Sequence, residues 1–104
     1  MRALVIAAVL LTVVVIAWAQ SQETITARGD AAFKSNGCHG CHTVGKLGTP
    51  IGPDLSHIGG KYPAAYLTRW LRDPALQRPT AHMPALELSD DDVSALAAYL
   101  STLR

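Results

Sequence analysis

Cys38-His39-Gly40-Cys41-His42 decides how the rest of this chain is read: two thiols three positions apart and an imidazole directly after the second, in 104 residues with no other cysteine. Three chemistries use a Cys-x-x-Cys pair. A redox disulfide of the thioredoxin kind wants strands around the motif, and the flanking segments lack the alternation a strand requires. Zinc wants further thiols or imidazoles at set spacings, whereas His39, His57 and His82 are scattered singly. The third use requires a histidine where His42 stands. Two thiols add to the two vinyl groups of a haem, the two intervening residues set the sulfurs at the vinyl separation, and the next imidazole is held beneath the iron. Cys38 and Cys41 are thus expected to anchor one covalent haem c, with His42 an axial iron ligand.

The second axial ligand must come from elsewhere, and Met83, Met1, His39, His57 and His82 are the candidates. Met1 lies at the head of an apolar leader, and His39 is pinned between the two cysteines. Met83 is the only methionine beyond that leader, followed by Pro84 a few residues ahead of the last helix. A lone loop methionine is usually an apolar gap-filler, but with a haem to ligate, Met83 is the expected sixth ligand. His82 is the competitor. Neighbours in an extended loop point to opposite sides, so one of the pair faces the iron, and His57 and His82 are otherwise expected in solvent or near a propionate.

The N-terminus begins Met1-Arg2, runs apolar from Ala3 to Trp18 and reaches Ala17-Trp18-Ala19 before the polar Gln20 to Thr24. These are the parts of an export signal with a small-x-small cleavage site after Ala19. Residues 3–19 also stand near the lower length limit for crossing a bilayer, about 17 residues, so an uncleaved anchor is the alternative. The expected organisation is residues 1–19 as signal peptide or anchor and residues 20–104 as one domain outside the cytoplasm, in the periplasm.

Within that domain Gln20 to Thr24 is expected as a short linker. Thr26 would cap a first helix to about Asn36, stopped by Gly37. Residues 43–61 hold Gly45, Gly48, Pro50, Gly52, Pro53, Gly59 and Gly60, a composition of loops rather than of helix or strand. Pro63 at a first helical position opens a second helix to Arg72, stopped by Asp73-Pro74. Ser89 with Asp92 three residues on begins the last helix, whose Val93, Leu96, Ala97, Leu100 and Leu103 recur at helical spacing. No strand is expected. Three helices with such long loops make a poor bundle unless the loops wrap around something.

Nine basic against eight acidic side chains, with no basic run interleaved with aromatics, leave no electrostatic footprint for nucleic acid. Charge names no other partner.

The chain resembles the small single-haem class I c-type cytochromes: Gly29-x-x-x-Phe33 before the motif, Gly52-Pro53-Asp54-Leu55 after it, then Met83-Pro84 and Ala98-Tyr99-Leu100, all in the family's order. The resemblance implies an all-α fold of three main helices with loops wrapped around one haem. It implies that the Pro53 carbonyl orients His42, that Gly29 sits where first and last helices cross, and that Phe33 and Tyr99 pack there. Tyr62, Tyr66, Arg69 and Trp70 become candidate contacts to the macrocycle. The function implied is one-electron transfer in a respiratory or periplasmic chain, by an electron-transfer protein rather than an enzyme, with redox proteins as partners and membrane association through residues 3–19. A haem-bearing subunit of a larger oxidoreductase is the alternative, and an open-site ligand-binding or peroxidase-like haem a weaker one. The lysine-rich face of mitochondrial cytochrome c is absent.

Overall fold

No glycine or proline interrupts the chain between Arg2 and Arg28, and the computed structural model, which describes residues 1–104, carries one unbroken helix, α1, over Arg2–Ser35. The expected linker is therefore a correction: Gln20 to Thr24 are helical. The Thr24 and Thr26 hydroxyls donate back to the carbonyls of Gln20 and Gln22, at 3.0 and 2.9 Å, so Thr26 sits inside the helix instead of capping it. Extending an existing helix needs no new nucleus, and glutamine and glutamate follow it readily. The Asn36 side chain closes the far end on the Ala32 carbonyl, 2.8 Å away. Gly37 turns left-handed at φ 73° and delivers the chain into a single 3-10 turn over Cys38–Gly40.

Three further corrections, a hairpin and two one-turn helices, concern elements too short to show periodicity in sequence. Thr43–Val44 (β1) and Leu47–Gly48 (β2) pair antiparallel, Thr43 opposite Gly48 and Val44 opposite Leu47. Gly45 takes φ 60° at the first central position of the two-residue turn, a conformation that other residues adopt only with strain. Beyond the loop, Ile58–Lys61 forms α2 and Ala64–Arg72 forms α3, with Pro63 extended at the cap rather than inside the first turn. Pro74–Gln77 is an unexpected one-turn helix, α4, capped by the Asp73 carboxylate accepting from the Leu76 amide at 3.3 Å. The last helix, α5, runs over Asp90–Thr102, and the Ser89 hydroxyl accepts from the Asp92 amide at 3.1 Å as the sequence predicts.

The core lies where α1, α3 and α5 meet. Phe33 of α1 and Val93 and Leu96 of α5 are almost wholly buried, with Leu67 and Leu71 of α3 closing the third side. Gly29 makes the α1–α5 crossing close: a Cβ there would run into the Ala95 carbonyl and lie 2.5 Å from Tyr99 Cβ. Burial, reinforced by Asp30 nearby, pushes the Tyr99 hydroxyl up from its usual titration range. Only eleven of 104 residues are buried, and the loop segments 43–57 and 78–89 contribute none of them.

Candidate functional site

The loop from Thr43 to His57 is tied to the Cys-x-x-Cys-His turn by its own backbone. The Thr49 amide donates to the His39 carbonyl at 2.9 Å, the Gly52 amide to the Cys41 carbonyl, and the Leu55 amide to the Thr43 carbonyl at 2.9 Å. Beyond the short β1–β2 pair, proline and glycine thus leave this segment without regular structure, but not without partners for its amides.

These bonds bring Pro53 to His42. The Pro53 carbonyl stands 2.7 Å from His42 Nδ1, and since a carbonyl only accepts, Nδ1 carries the proton and Nε2 is left with a free lone pair. Gly52 allows the approach, because a Cβ there would lie 2.8 Å from His42 Cε1 and 3.1 Å from Nδ1. Asp54 fixes the next link: its carboxylate accepts from the Ser56 hydroxyl at 2.6 Å and from the Ser56 amide at 2.9 Å, while the same hydroxyl accepts from the Gly45 amide at 2.8 Å. The Ser56 bonds hold the Asp54 carboxyl below the usual carboxylate range.

Cys38 and Cys41 are both free thiols on this turn, Cys38 half-buried and Cys41 exposed. Burial pushes the Cys38 thiol up, against a smaller opposing pull from its own backbone hydrogen bond. No three His, Cys, Asp or Glu side chains come together as a metal cluster would require. His39 turns inward, its ring edge-on to Phe33 at 4.7 Å with Nδ1 buried and unpartnered. A ring held there is not available on another face of the site.

Met83 belongs to the second loop, between α4 and α5. It is half-buried, while its neighbour His82 is exposed, the opposition expected of adjacent residues in an extended stretch; His57 is exposed too. The Trp70 indole Nε1 donates to Met83 Sδ at 3.2 Å. Behind Trp70, at intervals of four residues, Tyr66 stacks at 6.3 Å and Tyr62 stacks on Tyr66 at 4.5 Å, with the Arg69 guanidinium 5.9 Å from the Tyr66 ring. The exposed ion pair between Arg72 and Asp90, 2.7 Å, joins the end of α3 to the start of α5 and so brackets the loop that carries Met83.

The structure thus brings His42 together with Pro53, and Met83 together with Trp70, with no hydrogen bond between the two sets. The bond from Trp70 to Met83 is not readable from the sequence, where a helix-face tryptophan is core by default. Its one signal is the four-residue interval of Tyr62, Tyr66 and Trp70. The residues fit a c-type haem by donor chemistry: two unpaired thiols at vinyl spacing, an imidazole with its distal nitrogen free, and a thioether held by a neighbouring donor.

Comparison with known proteins gives the same reading. The family model for cytochrome c matches residues 26–104. Cytochrome c oxidase subunit 2 of Alkalihalophilus pseudofirmus is 37% identical over 91 residues, which is 79% of this chain and 27% of that protein. The chain therefore spans about a quarter of the length of that relative. Among solved structures, the c-type cytochrome SorU from Sinorhizobium meliloti superposes with a TM-score of 0.62 at 25% identity, over 78% of this chain and 92% of that one.

Proposed function

The chain belongs to the cytochrome c family, and on that premise we propose that it is a one-electron carrier whose haem iron is held between His42 and Met83. The covalent haem c supplies the redox centre. Cys38 and Cys41 anchor it by thioether bonds. The observation that carries the assignment of His42 is its Nδ1 bond to the Pro53 carbonyl: the bond fixes the tautomer and aims Nε2. Met83 is the matching donor because its sulfur keeps a second lone pair after accepting from Trp70.

A thioether opposite an imidazole favours ferrous iron more than two imidazoles do, so the potential lies above that of a bis-His site. With His42 and Met83 both holding the iron, no position would be left for a small substrate, and Cys38 and Cys41 would hold the haem edge at which partner proteins exchange electrons. The body of the protein works outside the cytoplasm, in the periplasm, which is also where thiol-bearing apoprotein and haem are joined.

The optical spectrum tests the ligation. The oxidised protein is expected to show the weak long-wavelength band of iron–methionine bonding, and Met83→Ala to lose it and gain a high-spin spectrum. A wild-type spectrum without the band, together with fast binding of carbon monoxide to the reduced protein, transfers the assignment to an open-site haem with His82 as the only nearby acid–base group.

A second reading concerns setting, and the relation to an oxidase subunit 2 favours it: this chain serves as the electron-entry module of a larger membrane oxidoreductase. Extraction in mild detergent and native mass separate the two settings, since a carrier runs alone and a module runs with its complex.

A further inference from the structure

We infer that α1 is kept whole and acts as a rigid stalk: the lipid bilayer is a partner of this chain, and the haem domain is held at a fixed height and attitude above it. The inference is independent of which residue is the second iron ligand. It starts from the exposed half of α1. An eighteen-residue window of this helix is apolar enough to cross a membrane, and none of it is buried against the rest of the protein.

Val9, Leu10, Leu11, Val13, Val15 and Ile16 are each more than half exposed and, at 3.6 residues per turn, are spread around all sides of the helix. A helix lying on a membrane surface would instead keep one polar face. From Ala3 to Gln22 there is no Asp, Glu, Lys or Arg, and Arg2 marks the end that stays on the cytoplasmic side.

What makes the helix a stalk is the absence of any joint. Gln20 to Thr24 are exposed, yet α1 runs through them without a break, and Ala17-Trp18-Ala19 lies inside the helix and not in the extended form that a peptidase takes up. At the far end the helix is fixed to the domain, because Gly29 is pressed on Ala95 and Tyr99 of α5, and Phe33 is buried. Ala19 to Gly29 rises about 15 Å at 1.5 Å per residue, and the chain leaves for Cys38 one and a half to two turns later. The molecule is correspondingly long, 62 × 29 × 23 Å. The partner that meets the Cys38–Cys41 edge is then a protein of the same membrane whose docking face stands at that height.

The test uses full-length holoprotein from membranes. Intact mass is expected to equal residues 1–104 plus one haem; a chain beginning at Gln20 overturns the inference. The protein is next placed in phosphatidylethanolamine/phosphatidylglycerol vesicles with a headgroup fluorophore that the haem quenches by energy transfer. Wild type is expected to give one haem height above the headgroup plane, read as the distance of closest approach between donors and haem. A flexible Gly-Ser-Gly-Gly-Ser insertion between Ser21 and Gln22 is expected to broaden it, and seven helix-forming residues at the same point to move it outward by about 10 Å. Equal quenching in all three proteins overturns the stalk. The long-wavelength band, recorded on each sample, reports separately on Met83 ligation.

Discussion

Trp70 bears on Met83, the ligand proposed for the iron, through a single hydrogen bond. Its indole N–H draws electron density from the Met83 sulfur at 3.2 Å, and in the proposed ligation this would weaken the thioether as a donor to ferric iron more than to ferrous. In Trp70→Phe the midpoint potential is expected to fall while the iron–methionine band remains; potentiometric titration with the spectrum as control checks both. Asp54 acts on the other side. Its carboxyl is held low by the two bonds from Ser56, so the sign is that of a depressed carboxylate: the ordering it gives the loop is present above the usual carboxylate range and is lost as the pH falls through the lowered folded value. The Ser56 amide resonance is expected to keep its native position until the pH is well below that range, and Asp54→Asn to abolish the transition. Neither relation could be read from sequence beyond residue type, since each depends on which loop atoms face one another.

At the scale of elements, α1 and α5 support the fold at one crossing. Placing a side chain at position 29 forces apart two backbones already in contact, so Gly29→Val is expected to cost about 3 kcal/mol, the upper end of the overpacking range, measured by denaturant unfolding of the holoprotein. The same crossing explains what was legible in the sequence. α5 was readable throughout because a cap, an acidic first turn and a full apolar stripe agree, and the Cys38–His42 turn because its spacing answers to haem geometry. The continuity of α1 was not, because polar composition at Gln20 to Thr24 resembles a linker and only the unbroken i→i−4 ladder shows otherwise. β1 and β2 span two residues each and α2 and α4 four, about one period of their own patterns and so too short for any recurrence to show.

For the whole molecule, the thiols have different lives before haem is attached. Cys41 is exposed, whereas Cys38 is half-buried and burial raises its thiol. Alkylation at mildly alkaline pH, followed by mass spectrometry, is expected to label Cys41 well before Cys38, and to label both at one rate in urea. The α1–α5 crossing sets when that difference arises. Its two sides lie at opposite ends of the domain, Gly29 and Phe33 near the start and Val93 to Leu100 near the finish. Contacts of such long sequence separation form late. A chain emerging N-terminus first shows its thiols while the other half of its core is still to come, and the interval before the last helix arrives is the time in which Cys38 and Cys41 are equally open to a haem.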